Sequence, residues 1–509
     1  MNPIERDVMV PFPSQPTNVG HRRRSRTLGA VVVVGGLLLA ACGSPPSSGG
    51  GGGGRDAAGQ TSKLPKCPLD ALKKAKGPVK VNLWYSGLVS PPVDVLTGMV
   101  KSFNQSQDKV VVTADYQGNS YAEGLRKYEG ASATPAQLPN LMYLEDTMLG
   151  ELVDKGQILP AQSCMEADGY DPEQLTAAAR SAYSVDGVLY PGYLNVSTPV
   201  IYYNKVHFKK AGLDPNKPPT TLAEMEEAAR KIKAAGVAPK PISFLANEWF
   251  FSTWMAGLGQ DGVDNNNGRT KPPTKATFNT PEVQDLMAEL AKANKAGLLN
   301  PFPVTDGKID HYLALLTEQS SMLIETSTAS GTIAGALGGE ITGASSGLDL
   351  DTSLLDTAKL VPSSGKYPGV NAPGKIYASG GAFYILNTSS PAEQAASWMF
   401  LKYMLQPENA LKWHLVGGYL PVVKSILDAP AIAKFQKTEL TGQLLKPAVE
   451  QLAAADPDQA GPLIGPYTGY SASIRKALEG VLFSGQDPKA ALDQAERDVN
   501  ALFKDYNDQ

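Results

Sequence analysis

From Val79 onward the chain alternates short apolar runs with segments of helical periodicity. Residues 79–84, 110–115, 141–144 and 200–203 are predicted strands, because each is a short β-forming run bounded by polar or turn residues. Residues 92–105 repeat apolar side chains at helical spacing, so one face of this helix is expected to pack on a sheet. Strands that alternate with helices form a largely parallel sheet covered by helices. The sequence therefore predicts a large α/β protein, and it shows no internal repeat of fixed period.

Later helices are delimited by start and stop signals. Thr221 and Glu224 form a capping-box pattern, and a glycine follows the predicted helix at Gly236. Three more helices are predicted where a capping side chain precedes a proline, which suits the first helical position. These pairs are Thr280-Pro281, Ser390-Pro391 and Asp487-Pro488.

The N-terminal segment has the three parts of an export signal. A basic stretch at residues 22–26 precedes an apolar run at 28–39 and small residues before Cys42. The run is shorter than the roughly 20 residues that span a bilayer. Leu-Ala-Ala-Cys resembles the bacterial lipoprotein signal, in which the thiol is acylated and the cysteine becomes the first residue. We therefore expect residues 1–41 to be a signal peptide and Cys42 to be the lipidation site; an ordinary secretory signal cut nearby is the alternative.

Composition after the signal indicates a tether and then a globular chain. Residues 42–66 are rich in Gly, Ser and Pro, so they cannot bury enough apolar surface to fold. Without residues 1–41 the 46 basic residues fall to 41 and the 50 acidic ones to 48, a net charge near −7. This charge argues against nucleic acid or an anionic lipid surface as a partner. The remaining residues predict two or three domains, at about 100–200 residues each, and we expect a monomer.

The remaining cysteines predict a disulfide. Once Cys42 is lipidated, only Cys67 and Cys164 are left. In an oxidising exported compartment an isolated pair most simply forms a disulfide, with two free thiols as the alternative. Four dispersed histidines provide no metal-ligand spacing, so neither a metal nor a cofactor is expected.

Several motifs, in a fixed order, carry a family resemblance. The strongest is Ser-Thr-Pro-Val-Ile-Tyr-Tyr-Asn-Lys at 197–205, followed by Phe-Lys-Lys-Ala-Gly-Leu-Asp-Pro at 208–215. Support comes from Pro-Asn-Leu-Met-Tyr-Leu-Glu-Asp at 139–146, Gly-Gly-Ala-Phe-Tyr at 380–384 and Gly-Tyr-Leu-Pro at 418–421. From about Val79 to its end the chain resembles the extracytoplasmic solute-binding proteins of carbohydrate ABC importers. The nearest resemblance is to the binders of glycerol 3-phosphate and glycerophosphodiesters.

The resemblance implies a two-lobe clamshell of the periplasmic-binding-protein class (type II, maltose-binding-protein-like), with the solute between the lobes. Ligand binding then shifts an open ensemble toward a closed one. The implied partners are a sugar, polyol or glycerol-phosphate ligand, the permease subunits of an ABC importer, and the membrane through the lipid on Cys42. The implied hinge crossovers lie near 195–198, 324–327 and 381–386. The implied lobes are 67–195 plus 327–382 (N-terminal) and 196–326 plus 383–509 (C-terminal).

A sugar presents hydroxyls around a partly apolar body, so its site needs aromatic faces and bidentate polar groups in a cleft. In α/β folds such groups follow the carboxyl ends of strands. The candidates in the first half of the chain are Trp84, Tyr85, Ser86, Tyr121, Glu145 and Asp146. Core packing is the alternative for the aromatic residues, and a solvated or helix-capping role is the alternative for the carboxylates. Neighbours in a strand point opposite ways, so only one of the two carboxylates need face the cleft.

Candidates from the rest of the chain are Trp249, Trp254, Ser330, Gly380, Gly381, Tyr419, Tyr467 and Tyr470. Trp249 and Trp254 are five residues apart and cannot share a helical face, so one of them is expected in the core. Ser330 lies in a small hydroxylated segment that matches the family, and Tyr419 matches a tyrosine that the family uses. The two glycines would let backbone amides approach the solute closely.

Two departures from the phosphate-binding relatives favour a neutral ligand. Those relatives carry an acidic residue after the tyrosine matched by Tyr121, and an arginine in the last segment; this chain has Ala122 and Ser471 there. A phosphate would therefore lose its fork-shaped cation. An alignment shifted to Glu123 and Arg475 would restore both groups. A neutral carbohydrate or polyol is the favoured ligand, and glycerol phosphate is the alternative.

Signals of other functions are weak. Gly-Ala-Ser-Ser-Gly at 343–347 fits the nucleophile motif of serine hydrolases, but it lacks the strand and helix that the motif needs, so a loop is predicted. Glycoside hydrolysis needs two carboxyls facing each other across ~5–9.5 Å, which adjacent residues in a strand cannot provide. Residues 261–268 resemble part of a calcium loop without its twelfth-position glutamate, so a turn is predicted. We expect no enzyme; a binding protein that serves a sensor or an adhesin remains open.

Overall fold

The computed structural model describes residues 64–508, apart from 89, 133, 135–136, 306–308, 339–354, 356–357 and 372–373. All the described residues belong to one compact unit. The predicted signal peptide, Cys42, nearly all of the tether and the motif at 343–347 lie outside the described residues.

Thirteen strands lie in the described residues. They are β1 (Val79–Ser86), β2 (Val110–Gly118), β3 (Leu141–Glu145), β4 (Ile158–Leu159), β5 (Ser184–Val185), β6 (Val188–Leu189), β7 (Tyr193–Ser197), β8 (Pro199–Asn204), β9 (Ile242–Leu245), β10 (Leu299–Phe302), β11 (Met322–Thr326), β12 (Pro362–Lys366) and β13 (Ser379–Leu386). All four strands predicted from the sequence are confirmed, each with slightly wider bounds.

The α-helices in this part of the chain range from short turns to about twenty residues. They are Leu69–Lys73, Pro92–Ser106, Tyr121–Ala131, Leu149–Asp154, Ala161–Ala167, Ala177–Ala182, Lys205–Lys210, Leu222–Ala234, Glu248–Gly257, Pro281–Lys295, Asp310–Leu316, Ala329–Gly338, Pro391–Met404, Pro407–Leu415, Pro430–Thr438, Leu440–Ala453, Tyr467–Ser484 and Pro488–Asn507. None of the described helices has the length and hydropathy needed to cross a bilayer.

Side-chain caps explain where the predicted helices begin. Ser390 and Glu393 form a complete capping box ahead of Pro391–Met404. Three further N-cap side chains accept a hydrogen bond from a backbone amide of the first turn, as predicted. These are Thr221 from Glu224 at 3.1 Å, Thr280 from Val283 at 3.4 Å and Asp487 from Ala490 at 2.9 Å.

The first sheet has the order β2-β1-β3-β13-β4, and β7 also pairs with β13. β1 is parallel to β2 and β3, whereas β13 runs antiparallel to β3 and β7. The carboxyl ends of β1, β3 and β7 and the start of β13 therefore meet at one edge. This is the edge at which α/β sheets place ligands.

The second sheet has the order β10-β9-β11-β8-β12. β9 is parallel to β10 and β11, so the carboxyl ends of these three strands share an edge. The faces of β8 belong to different buried apolar clusters: Tyr202 lies in the cluster that contains the core of the first sheet, and Tyr203 lies in the other cluster. Two sheets with their own helices make the two-lobe α/β fold, as predicted.

The chain crosses from the first sheet to the second at Thr198, between β7 and β8, inside the predicted segment 195–198. It returns between Lys366 and Ser379, which is earlier than expected. The prediction of a crossover at 381–386 is wrong, because these residues are central in β13, paired with β3.

Two further assignments by lobe differ from sheet membership. The predicted N-terminal lobe includes β12, but this strand pairs with β8 in the second sheet. The predicted C-terminal lobe includes Pro391–Met404, but this helix packs on β1 and β13 of the first sheet. After the expected crossover at 324–327 the chain does not enter the first sheet; Ala329–Gly338 packs against Leu440–Ala453, which packs on β12 and β8. Sheet pairing across long connections decides these memberships, and a local sequence pattern does not contain it.

Backbone contacts join two of the segments that connect the lobes. The Ser327 amide donates to the Thr198 carbonyl at 2.8 Å, and the Thr198 amide donates to the Ser327 hydroxyl at 3.3 Å. The Tyr202 hydroxyl lies 2.9 Å from the Ser330 hydroxyl and donates to the Ser327 carbonyl at 3.0 Å. The side chain of Ser330 is therefore engaged at this junction.

The predicted disulfide between Cys67 and Cys164 is confirmed. It joins the start of the described chain to the helix Ala161–Ala167 of the first lobe. Leu69–Lys73, just after Cys67, packs on Pro391–Met404. The disulfide thus fixes the end of the predicted tether to the first lobe.

Candidate functional site

Two acidic residues lie at the ligand edge of the first sheet. Glu145 ends β3, and Asp146 follows it. The Asp146 carboxylate accepts hydrogen bonds from the Ser379 hydroxyl at 2.8 Å and the Gly380 amide at 3.0 Å, so the start of β13 holds it in place. The Glu145 carboxylate accepts a hydrogen bond from the Thr147 hydroxyl at 2.9 Å. Both predicted carboxylates therefore have fixed positions.

Tyrosines and a tryptophan cluster beside these carboxylates. The hydroxyls of Tyr121 and Tyr143 are 3.3 Å apart, and the Asn195 amide donates to the Tyr143 hydroxyl. The Tyr419 hydroxyl faces the same three groups. The Tyr419 ring stacks on Trp413, with 6.2 Å between ring centroids and 27° between planes. The cluster combines apolar ring faces with hydroxyl and amide groups, which is the chemistry that recognises a sugar.

The second lobe contributes a third carboxylate, Glu248, which starts a helix shortly after β9. Its side chain is 3% exposed and accepts hydrogen bonds from the Ser252 hydroxyl at 2.5 Å and from the Tyr467 hydroxyl. The indole N–H of the adjacent Trp249 is buried without a hydrogen-bond partner. A buried donor without a partner is costly, and an acceptor on a bound ligand would remove that cost.

The three carboxyls lie close enough to influence one another across the lobes. Burial, together with the neighbouring Asp146 and the more distant Glu248, raises the pKa of Glu145 to about 8. Burial raises the pKa of Asp146 to about 6, although the hydrogen bonds from Gly380 and Ser379 oppose the rise. Burial also raises the pKa of Glu248, opposed by its Ser252 and Tyr467 hydrogen bonds. We call Glu145, Asp146 and Glu248 the carboxylate cluster; its charge is costly to maintain without a partner.

Arg269 of the second lobe is the cation that acts on Asp146. Its guanidinium also donates to four backbone carbonyl oxygens, at 2.6–3.2 Å. The carbonyl oxygens of Ala182 and Ser184 belong to the first lobe, and those of Ala460 and Gly461 belong to the second. Arg269 therefore joins the lobes, with four of its hydrogen bonds made to backbone.

The structure brings together most of the predicted site residues but not all of them. Around the carboxylate cluster lie Tyr121, Gly380, Gly381, Tyr419, Tyr467 and Tyr470. Trp84 is half-buried at the end of β1 and Tyr85 pairs its ring with Tyr116 at 5.7 Å. Ser86 is buried beneath the helix Tyr121–Ala131, facing Gly124.

Trp254 is a core residue, which corrects its inclusion among the candidates. Its ring is 1% exposed and stacks between Phe244 and Tyr367, each with 5.5 Å between ring centroids. Its indole N–H donates to the Pro368 carbonyl at 2.9 Å. With both ring faces and the N–H engaged, Trp254 supports the lobe, whereas Trp249 is the tryptophan with an open donor.

Glu123 and Ser471, two positions considered above for phosphate recognition, each have a defined contact. The Glu123 carboxylate caps its own helix by accepting a hydrogen bond from the Asn119 amide at 3.1 Å, and it pairs with Lys127 at 3.3 Å. The Ser471 hydroxyl faces Glu248 and opposes the rise in its pKa. Glu123 is thus used locally, and the small neutral side chain of Ser471 faces a carboxylate of the site.

Sequence reasoning missed Glu248 and Arg269, and also Tyr143, Asn195 and Trp413 of the aromatic cluster. Glu248 carried a usable signal, because it follows a strand and the cap residue Asn247 directly. Arg269 carried none, since its partners are backbone oxygens far away in sequence.

Two α/β lobes are the architecture of periplasmic-type binding proteins, and comparison with known proteins agrees. The family model of bacterial extracellular solute-binding proteins matches residues 98–440. The chain therefore belongs to this family of solute-binding proteins.

Curated relatives cover most of the chain. The sn-glycerol-3-phosphate-binding periplasmic protein UgpB of Brucella abortus (strain 2308) is 27% identical over 436 residues, 82% of this chain and 92% of that one. UgpB of Shigella dysenteriae serotype 1 (strain Sd197) is 25% identical over 454 residues, 86% of this chain and 95% of that one.

Solved structures confirm the fold. UgpB from Mycobacterium tuberculosis in complex with glycerophosphocholine superposes with a TM-score of 0.66 at 17% identity, covering 86% of this chain and 100% of that one. The cyclic alpha-maltosyl-1,6-maltose binding protein from Arthrobacter globiformis gives a TM-score of 0.64 at 24% identity, covering 84% and 100%.

Proposed function

We propose that this protein captures a neutral sugar or polyol outside the cytoplasm and delivers it to the permease of an ABC importer. The solute lies between the carboxylate cluster and the tyrosines around Tyr121 and Tyr419. Carboxylates accept hydrogen bonds from sugar hydroxyls, and the ring faces cover the apolar parts of the sugar. Closure of the lobes around the solute shields the solute and the groups that bind it from water.

The observation that carries the neutral ligand is the sign of the charge at the site. Glu145, Asp146 and Glu248 converge there, and Arg269 is engaged by backbone oxygens of both lobes. Asp146, with a pKa of about 6, is mostly ionised at neutral pH and would repel a phosphate, whereas Glu145, with a pKa of about 8, is mostly protonated there and adds little charge. Hydroxyl groups carry no such cost.

Glycerol 3-phosphate or a glycerophosphodiester is the second candidate. It is supported by the names of the curated relatives, which are glycerol-3-phosphate-binding proteins. Under this alternative Arg475, one turn after Ser471 on the same helix, would supply the cation.

The rest of the proposal concerns where and how the protein works. Cys42 carries the lipid, residues 42–66 tether the monomeric binding domain to the membrane, and the permease subunits receive the solute. The protein is a binding component and not an enzyme. Replacing Cys42 by Ser is expected to move the protein from the membrane fraction to the soluble fraction; retention in the membrane fraction would contradict the anchor.

Calorimetric titration tests the ligand class. The panel contains glucose, maltose, trehalose, ribitol, glycerol 3-phosphate and glycerophosphocholine. We expect at least one neutral member to bind with a Kd below about 100 μM, or more than about 5 kcal/mol of binding free energy. The phosphate compounds are expected not to bind. Binding of the phosphates alone would favour the second candidate.

The variant Ser471→Arg sharpens this test. It supplies a guanidinium next to Glu248, so we expect weaker binding of the neutral ligand and measurable binding of glycerol 3-phosphate. Ser473→Arg, two residues further along the same helix, is the matched control: it adds the same charge at a side chain that hydrogen-bonds the Gly469 carbonyl. Equal effects of the two variants would contradict the placement of Ser471 in the site.

A further inference from the structure

A cavity of about 230 Å³ lies in the second lobe, next to the carboxylate cluster. Its inner part is lined by the buried residues Ser252, Tyr377 and Tyr470, and its mouth by the exposed residues Asp261 and Asn266. Sites that enclose a whole ligand usually measure ~300–1,000 Å³. This cavity therefore has the size for one part of a solute.

The inner part of the cavity reaches Glu248. Ser252 lines the cavity, and its hydroxyl donates to the Glu248 carboxylate at 2.5 Å. Tyr470 lines the cavity too, and burial, followed by the charge of Glu248, raises the pKa of its hydroxyl. A group bound in the cavity would thus continue from a group bound at the carboxylate cluster.

The backbone at the mouth adopts an unusual conformation. Asn265, Asn266 and Asn267 have φ angles of 58°, 54° and 55°, which is a run of three left-handed residues that are not glycine. Each such residue costs free energy, and runs of them persist where surrounding structure enforces them, often at ligand sites. The Asn265 amide donates to the Pro272 carbonyl at 2.8 Å, and Asn267 accepts from the Gly262 amide at 3.1 Å. These contacts hold the turn and leave Asn266 at the mouth.

An unpartnered hydroxyl lines the same cavity. Tyr377 is 5% exposed, and its hydroxyl makes no hydrogen bond. The nearby Thr253 hydroxyl donates to the Trp249 carbonyl at 2.7 Å and does not complete a hydrogen bond with Tyr377. A buried polar group without a partner costs stability, so a hydroxyl group entering the cavity would remove that cost by hydrogen-bonding to Tyr377.

We propose that this cavity is a subsite for a second polyhydroxylated unit of the solute, held beyond the unit at the carboxylate cluster. The inference rests on the proposed function. Hydroxyl, amide and carboxylate groups of Tyr377, Asn266 and Asp261 provide the donors and acceptors that such a unit uses. All of these lining groups belong to the second lobe or to its connection, so the second unit is held mainly by this lobe.

Calorimetric titration of two-unit and one-unit solutes tests the subsite. The probes are maltose, trehalose and cellobiose, each compared with glucose. We expect at least one disaccharide to bind ten-fold more tightly than glucose. The variant Tyr377→Phe removes the hydroxyl and is expected to weaken disaccharide binding about five- to ten-fold, the range of one hydrogen bond, and glucose binding less than two-fold.

Tyr384→Phe is the matched control, because the Tyr384 hydroxyl in β13 is also buried without a partner but lies in the first lobe. This variant is expected to change the affinity for the disaccharide and the affinity for glucose by less than two-fold each. Asn266→Gly is a second variant, since glycine accepts the left-handed backbone while removing the amide. It is expected to weaken disaccharide binding only.

The outcomes separate the subsite from the proposed function. If the disaccharides bind no better than glucose, or if Tyr377→Phe and Asn266→Gly leave the ratio of the two affinities unchanged, the subsite is refuted while sugar binding stands. If ribitol binds and none of these sugars does, the subsite is refuted while the proposed function stands; if neither the sugars nor ribitol binds, the proposed function is refuted, and the subsite with it.

Discussion

Replacing Glu145 by Gln tests the electrostatics of the carboxylate cluster. The ordinary pKa of this carboxyl is 4.5, and burial raises it to about 8 in the folded protein. Between these pH values the folded state holds a proton that the unfolded chain has lost, so the free energy of unfolding falls as the pH rises. Each pKa unit corresponds to about 1.4 kcal/mol, which gives an upper limit of about 5 kcal/mol. Glutamine cannot ionise and does not incur this loss.

The assay is urea unfolding of wild type and Glu145→Gln at pH 5, 7 and 9. We expect similar free energies of unfolding at pH 5 and a variant more stable by roughly 2–5 kcal/mol at pH 9, since a buried charge is replaced by a neutral isostere. Glu289→Gln is the control, because Glu289 is an exposed carboxylate paired with Lys292. A Glu145→Gln variant whose stability follows the wild-type pH profile would refute the reasoning.

Three more predictions follow from particular contacts. Replacing Cys67 and Cys164 together by Ala removes a crosslink between residues 97 apart. Urea unfolding is expected to show a free energy of unfolding lower by up to about 4–5 kcal/mol. An unchanged free energy would contradict a first lobe stabilised by the disulfide. Arg269→Lys keeps the charge but cannot reproduce the forked guanidinium that contacts both lobes. Small-angle X-ray scattering without ligand is expected to show a larger radius of gyration than for wild type. An unchanged radius would contradict the conclusion that Arg269 joins the lobes. Tyr467→Phe removes a hydrogen bond to the buried carboxylate of Glu248. The free energy of unfolding is expected to fall by about 1–3 kcal/mol. A smaller fall than in the exposed control variant Tyr116→Phe would contradict this prediction.

Local signals in the sequence predict the elements well. The strand at 79–84 and the helices that start after Thr221, Thr280 and Ser390 are all confirmed, because capping and periodicity act within a few residues. The disulfide could also be predicted, since only two cysteines remained in an exported chain.

Long-range pairing could not be predicted in the same way. β12 and β13 are separated by a short connection but belong to different sheets, and only their partners decide this. Trp249 and Trp254 have similar surroundings in sequence, yet packing between Phe244 and Tyr367 makes only the second a core residue. Arg269 was missed because its backbone acceptors become neighbours only after folding.

A crystal structure of the protein with its tightest neutral ligand would test the central claim most directly. We expect the solute between the lobes, with its hydroxyls hydrogen-bonded to the carboxylates of Asp146 or Glu145 and of Glu248, and with a ring face on Tyr419. A ligand bound away from these carboxylates, or a phosphate bound there by Arg475, would contradict the account.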